Sequence, residues 1–322
     1  MTSMTEELTN LNVSSVEQIA DGFFSFELRD PQGADLPEFT AGAHISISSP
    51  NGLVRSYSLC NDPAERDRYV ITVKREENGK GGSKDLTDNV HAGDVVQVSH
   101  PRNLFPLVDN AKKFIFIGGG IGITPIMSMM RHLNASGEAS YKTYYLSRAP
   151  ATTPFLEDLK DPEFSGKVVI HHDQGDPNQA YDLWNVLETP GAQTHVYCCG
   201  PLPLMDAVRD MSGHWPDSAV HFEAFSNPDA APRADDTPFI VKLASSGQTV
   251  EVPAGVSILE ALRSGGLRVP ASCESGTCGT CRTGLIAGEA DHRDMVLMEE
   301  ERGTQIMVCV SRAKSAELVL DL

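Results

Sequence analysis

The sequence predicts a multi-domain chain: an antiparallel β-barrel, then a doubly wound α/β parallel sheet, then an α+β, β-grasp-like domain rich in cysteine. Three observations predict it. The hydrophobic pattern switches from short, punctuated strands to alternating strands and helices near residue 109. A Pro-, Ala- and Asp-rich stretch at residues 226–237 reads as a linker. Beyond it lie Cys273, Cys278, Cys281 and Cys309, four of the seven cysteines. The chain has 322 residues, enough for two or three domains. The expected division is 1–108, 109–225, a linker at 226–236, and 237–322.

In the first block, Phe23-Phe-Ser-Phe-Glu-Leu, His44-Ile-Ser-Ile, Tyr69-Val-Ile-Thr-Val and Asp94-Val-Val-Gln-Val are strand-like runs separated by Gly, Pro, Asn and Asp. Short strands so punctuated suggest a small barrel. Arg55-Ser-Tyr57-Ser58 follows the run at residues 44–48. Arg55 can pair with a phosphate and Tyr57 offers a flat face and a hydroxyl. Lys80-Gly81-Gly82-Ser83 is a glycine turn able to form an anion-binding nest.

In the middle block, Lys113-Phe-Ile-Phe-Ile is a continuous apolar run, as a parallel strand covered on both faces should be. Further strands are expected at 142–146, 167–171 and 195–199, and helices at 125–133 and 203–211. Gly118-Gly-Gly-Ile-Gly-Ile-Thr124-Pro follows the first strand directly. Such a loop lets the backbone approach a pyrophosphate at a helix N-terminus, though a tight structural turn explains the glycines too. Cys198-Cys199-Gly200-Pro201 follows the last strand. Both loops then fall at the carboxyl ends of strands, where open α/β sheets bind ligands. Cys198 is expected to be a buried small hydrophobe and Cys199 to face the cleft. Asp173, in His171-His-Asp-Gln-Gly-Asp176, either accepts hydrogen bonds from an adenosine ribose, favouring NADH over NADPH, or belongs to an exposed turn.

In the last block, Phe239-Ile-Val-Lys-Leu and Thr249-Val-Glu-Val form an expected hairpin turning at Ser246-Gly247. Ser257 is a helix N-cap with Glu260 as partner, and Gly265-Gly266 ends that helix. The cysteines follow the pattern Cys-x4-Cys-x2-Cys and then, after 27 residues, Cys309, which is expected on a strand at 306–310. This is plant-type spacing for a [2Fe–2S] cluster. Structural zinc prefers two Cys-x2–4-Cys pairs, and disulfides need an oxidising compartment. Gly276 and Gly279 would let the main chain fold closely around the sulfurs. The cluster moves single electrons and a hydride carries two, so a flavin or its equivalent must stand between nicotinamide and cluster.

Composition sets the partners. A net charge of −18 disfavours nucleic acid and anionic membranes and permits docking on a basic protein. The first ten residues carry Glu6 and Glu7 and no basic residue, unlike a signal or transit peptide, so a cytoplasmic protein is expected. No run of 18 apolar residues is present.

Arg55-x-Tyr57-Ser58, the Gly118–Pro125 loop and Cys199-Gly-Pro, in that order, resemble the ferredoxin–NAD(P) reductase superfamily. The appended plant-type ferredoxin block narrows the resemblance to the phthalate dioxygenase reductase family, over essentially the whole chain. The resemblance implies that Arg55, Tyr57 and Ser58 bind FMN, with Lys74, Gly81, Gly82 and Ser83 near its ribityl phosphate. FMN is expected over FAD because the barrel shows no adenine-binding extension. Phe225 would cover the flavin ring, its alternative being a core phenylalanine. Gly119, Gly120, Thr124, Asp173, Cys199 and Pro201 would line the NADH site. Ser58 and Cys199 would flank hydride transfer, Cys199 as an orienting group. Cys273, Cys278, Cys281 and Cys309 would hold the cluster. The implied activity is NADH-dependent electron delivery through FMN and [2Fe–2S] to a Rieske-type dioxygenase, phthalate dioxygenase foremost, or else to another Rieske oxygenase or demethylase acting on an aromatic acid. A monomer suffices for that relay.

Overall fold

The computed structural model describes residues 8–79, 81–225, 227, 230–271 and 273–322. Lys80 and Ser226, named above, lie outside them. The chain divides into two compact units, Met1–Ala224 and Phe225–Leu322.

The first unit begins with β1 (Thr9–Ala20), β2 (Phe23–Arg29), β3 (His44–Ser48), β4 (Val54–Ser58), β5 (Tyr69–Lys74), helix α1 (Gly82–Asn89) and β6 (Val95–Val98). The strands pair antiparallel in the order β4-β3-β6-β1-β2-β5. A bridge between Leu59 and Ile71 joins the two outer strands and closes the sheet as a barrel. Its interior is filled by side chains such as Phe26, Ile45, Ile47, Leu59, Ile71 and Val73. Sequence reasoning found four of these strands and missed β1 and β4. In β1 the register slips between Val13 and Ser15 and again between Gln18 and Ala20, which breaks the two-residue alternation. In β4 only Ser58 is buried, so no apolar face marks it.

The same unit continues with β7 (Lys113–Gly119), α2 (Ile123–Ser136), β8 (Ser140–Ser147), β9 (Val168–His172), α3 (Trp184–Leu187), β10 (Thr194–Cys199), α4 (Leu202–Ser212) and β11 (Val220–Glu223). The order is β11-β10-β7-β8-β9, all parallel. The apolar run of β7 feeds two cores. Phe114 and Phe116 pack with α2 on one face, and Ile115 and Ile117 pack with α4 on the other. That is the doubly wound arrangement, and it explains why this strand shows no alternation. The core beneath α2 also takes Ala41, Cys60 and Phe105 from the barrel side. Arg131 donates to the Cys60 carbonyl at 2.6 Å, and the Tyr197 hydroxyl donates to the Pro106 carbonyl at 2.8 Å. Barrel and parallel sheet are thereby tied together.

The second unit contains β12 (Phe239–Leu243), β13 (Thr249–Val252), α5 (Ile258–Ser264), β14 (Arg282–Ala287), β15 (Ala290–Asp291), β16 (Gln305–Met307), β17 (Arg312–Ala313) and β18 (Glu317–Leu320). The main sheet runs β13-β12-β18-β14-β16, with β12 and β18 parallel, and β15 pairs with β17. Ile258, Leu259 and Leu262 of α5 pack on Val241, Leu243, Leu318 and Leu320 in one core, a β-grasp arrangement. Ser257 caps α5 by accepting from the Glu260 N–H at 3.1 Å, and Gly247 turns the hairpin with φ 69°. Cys309 does not lie on a strand as expected. β16 ends at Met307, and Cys309 sits in the turn that follows, closed by Val310 and Ser311 N–H groups donating to the Met307 carbonyl.

Candidate functional site

At one end of the barrel, β4 carries Arg55, Tyr57 and Ser58. The N-terminus of α1 meets Arg55 there. A Cβ on Gly82 would lie 2.9 Å from Arg55 Cγ and 3.3 Å from its Nε, so the guanidinium stem rests against bare backbone. Gly81 enters α1 with φ 91°, and no side chain caps the helix. A helix N-terminus without a side-chain cap, lying beside a guanidinium, suits a phosphate. Ser83 Oγ accepts from the Glu76 N–H at 3.2 Å, which ties the cradle to the end of β5. Lys74 lies near that end, but its ammonium pairs with Glu76 at 2.5 Å. Tyr57 is half-buried against the barrel core, and desolvation pushes its phenol up to about 12, so it stays neutral. Ser58 is buried opposite His44.

The second site is the crevice where strand order reverses, between β7 and β10. Cys199 sits opposite Gly118 in the register, so the loops after both strands start side by side. They touch backbone to backbone. A Cβ on Gly119 would lie 2.6 Å from Pro201 Cδ and 2.7 Å from Leu204 Cδ2. A Cβ on Gly122 would collide with the Cys199 carbonyl and lie 2.7 Å from Gly200 N. Gly120 is different: φ is 53° and nothing stands within 4 Å of its Cβ position, so it faces open space. The helices that begin here, α2 and α4, have no side-chain cap and no acidic residue in the first turn. Two bare N-termini converging on one crevice suit a pyrophosphate.

One expected residue behaves differently from the sequence reading, and the others are placed as follows. Cys199 does not face the cleft. It is fully buried, as Cys198 is, and desolvation holds its thiol well above the usual range. Adjacent residues of a strand point to opposite faces, and both faces of this sheet are covered. The Thr124 hydroxyl is buried and donates to the Ile121 carbonyl at 2.9 Å, so it shapes the loop. Asp173 closes a turn: its Oδ1 accepts from the Gly175 N–H at 2.8 Å, with Gln174 and Gly175 both at positive φ. Pro201 is the N-cap residue of α4. Phe225, the first residue of the second unit, is exposed.

In the second unit the four cysteine thiols meet as two pairs. A hydrogen bond from Cys278 draws Cys273 down and pushes Cys278 up. A hydrogen bond from Cys309 likewise lowers Cys281 and raises Cys309. Two thiol pairs suit a cluster of two irons. Ser275 and Thr277 N–H groups point at Cys273 Sγ, at 3.5 and 3.4 Å, and the Thr280 hydroxyl lies 3.2 Å from Cys278 Sγ. Gly276 and Gly279 take φ of 73° and 79°, which produces this wrap.

Comparison with known proteins agrees with this geometry. Residues 10–106 match the oxidoreductase FAD-binding domain, and residues 241–314 match the 2Fe-2S iron-sulfur cluster binding domain. Phthalate dioxygenase reductase of Burkholderia cepacia is 57% identical over 323 residues, covering 100% of both chains. The chain belongs to the phthalate dioxygenase reductase family. The phthalate 4,5-dioxygenase oxygenase reductase subunit of Pseudomonas putida is 55% identical over 319 residues, covering 99% of this chain and 98% of that one. A solved phthalate dioxygenase reductase, described as a modular structure for electron transfer from pyridine nucleotides to [2Fe-2S], superposes with a TM-score of 0.85, 57% identity and 98% coverage of each chain. Like that family, the chain is an oxidoreductase that joins a flavin-binding barrel, a parallel-sheet nucleotide domain and a ferredoxin domain.

Within this family fold, two residues beside the crevice were not singled out by the sequence reading. Gly122 is where the two crevice loops meet, and its place directly before a helix was the available signal. Glu223 ends β11, in register with Cys199. Its Oε2 is sealed from solvent with no hydrogen-bond partner, and desolvation raises its carboxyl to about 8. A lone carboxylate in the apolar stretch Phe222-Glu-Ala-Phe225 was its mark in the sequence.

Proposed function

We propose that the protein is the NADH-dependent iron–sulfur flavoprotein reductase of an aromatic-ring dioxygenase system. It moves electrons from NADH through FMN and a [2Fe–2S] cluster to a separate Rieske-type oxygenase, phthalate dioxygenase. Its cofactors are NADH, FMN and the cluster, and the barrel, parallel sheet and ferredoxin domain occupy 1–108, 109–225 and 237–322 around a linker at 226–236. The observation that carries the reading is the presence, in one chain, of a phosphate cradle on a barrel, a pyrophosphate crevice at a switch point and two thiol pairs.

Bound flavin supplies the conversion of a two-electron hydride into single electrons. The chain supplies position. Arg55 and the α1 N-terminus, with Gly81, Gly82 and Ser83, hold the FMN phosphate, and Lys74 adds positive charge at the rim. Tyr57 presents a neutral ring to the flavin, and Phe225 covers its other face. Gly119, Gly120, Thr124 and Pro201 shape the NADH crevice, and Asp173 meets the adenosine ribose and repels a 2′-phosphate. Ser58 borders the hydride-transfer position, and Cys199 gives the crevice its main chain while its thiol stays neutral and buried behind it. Cys273, Cys278, Cys281 and Cys309 ligate the cluster. The protein acts in the cytoplasm as a monomer. No helix among the described residues is long and apolar enough to cross a membrane.

The test is an anaerobic NADH titration followed in the visible spectrum, then turnover with the phthalate oxygenase component and phthalate. Bleaching of both flavin and iron–sulfur bands is expected, followed by NADH oxidation that depends on oxygenase. Bleaching without turnover would keep the relay and reassign its acceptor. No flavin band would overturn the reading of the barrel.

A further inference from the structure

Asp294 lies in the segment that leads from β15 toward β16, and its carboxylate is fully buried. The neighbouring arginines do not compensate it. Arg293 turns away to Asp236 at 2.5 Å and to Asp291 at 2.7 Å, and Arg312 also faces Asp236, at 3.5 Å. Asp294 is held by neutral donors. Its Oδ2 accepts from the N–H groups of Val296 at 3.1 Å and Leu297 at 2.8 Å, and its Oδ1 accepts from the Ser311 hydroxyl at 3.4 Å. The one ionisable side chain facing it among these contacts is His292, whose Nδ1 stands 3.8 Å from Oδ1, beyond hydrogen-bond distance.

The same segment clamps the middle of the cysteine loop. The Met295 N–H donates to the Gly276 carbonyl at 3.0 Å. A Cβ on Gly276 would lie 3.2 Å from Asp294 Cα and 2.6 Å from Val310 Cγ2, so this loop is gripped between 294–295 and the residue after Cys309. Through Ser311, Asp294 also holds the turn that presents Cys309. One carboxylate therefore links the three-cysteine loop to the fourth cysteine.

We propose that Asp294 is a positioning residue for the cluster and that its buried charge lowers the cluster's reduction potential. The cluster becomes more negative on accepting an electron, and a fixed negative charge in a low-dielectric setting opposes that step. The hydroxyl and two N–H donors stabilise the carboxylate and soften its field, so Ser311 tunes the effect in the opposite sense. The inference rests on the cluster reading and is independent of NADH and of the oxygenase.

The experiment is a dithionite and mediator-dye titration of the full-length protein, with EPR of the reduced cluster, for Asp294→Asn and Ser311→Ala. Asparagine keeps the shape and an acceptor for the N–H groups while removing the charge. Its midpoint should rise enough to change the reduced-to-oxidised ratio about tenfold at fixed potential, ~59 mV for a one-electron couple. Ser311→Ala should move the midpoint downward, with cysteine ligation and the EPR line shape retained in both. A loosened loop alone would not produce opposite shifts. An unchanged or lowered midpoint in Asp294→Asn overturns the proposal. If that variant loses its cluster, Ser311→Ala decides: a lowered midpoint supports the proposal and an unchanged or raised one overturns it. Failure of the NADH relay would show separately, as a cluster that dithionite reduces and NADH does not.

Discussion

Gly122→Ala isolates the contact on which the nucleotide crevice depends. Gly122 has φ −64°, which alanine adopts freely, so the substitution costs nothing in backbone conformation. All of its cost is steric. The new methyl would collide with the Cys199 carbonyl and stand 2.7 Å from Gly200 N, and both are main-chain atoms. They cannot swing aside, because β10 is hydrogen-bonded to β7 on one side and β11 on the other. Overpacking of this kind costs about 1–3 kcal/mol, and the rigid neighbours put this case near ~3 kcal/mol. For a unit of this size each kcal/mol lowers Tm by about 2–4 °C, giving roughly 6–12 °C. Gly120→Ala is the control. It lies two residues away with φ 53° and empty space around it, so only left-handed strain of about 1 kcal/mol is paid, or roughly 2–4 °C. Thermal unfolding followed by flavin fluorescence ranks the two, and NADH reduction kinetics should show a raised KM for Gly122→Ala. A Gly122→Ala protein as stable as Gly120→Ala would refute the backbone-to-backbone crevice.

Serine in place of any of Cys273, Cys278, Cys281 or Cys309 should cripple the cluster while NADH still bleaches the flavin; cytochrome c reduction at the wild-type rate would break the proposed relay. Gly82→Val should push Arg55 off the phosphate cradle and weaken FMN retention at least tenfold, measured by flavin release on dilution. Asp173→Ala should narrow the preference for NADH over NADPH, and an unchanged ratio of kcat/KM values would leave this residue as a turn former only. Glu223 titrates near 8 in the folded chain against an ordinary 4.5, so the native state keeps a proton that the unfolded chain releases. Its contribution to stability is full below the lower value and declines, at about 1.4 kcal/mol per pH unit, as pH rises toward 8. Glu223→Gln should flatten that decline in a Tm series from pH 5 to 9, and parallel profiles for the two proteins would exclude the buried acid.

What was legible in the sequence follows from which residues obey a local period. β7 was unmistakable because two cores demand apolar side chains on both faces. α5 was legible because Ser257 and Gly265 punctuate it. The second unit's short strands β15 and β17, of two residues each, carry too little pattern to be read. The cysteine spacing carried the cluster site because its chemistry is written in fixed intervals along the chain. The two-and-two pairing of the thiols is a property of three dimensions, since Cys309 arrives from a turn with 27 residues between it and Cys281.

β4 shows why the remaining site was harder. Arg55 and Tyr57 are half-buried and only Ser58 is inside, so the strand lacks the apolar face by which strands are recognised. The functional motif was visible and the element carrying it was not. Cys199 shows the reverse. Its place beside Gly200-Pro201 suggested exposure, yet burial on both faces of the central sheet wins, because a strand next to the switch point has no open side. What reaches the crevice from this position is main chain, the carbonyl that Gly122 abuts. Gly119, Gly122 and Gly200 are thus places with no room for a side chain, while Cys199 fills its buried place with a small neutral one. A serine at 199 would keep the size and add a hydroxyl needing a partner beside the unpartnered Glu223. Such a variant should register in the Glu223 titration before it registers in the fold.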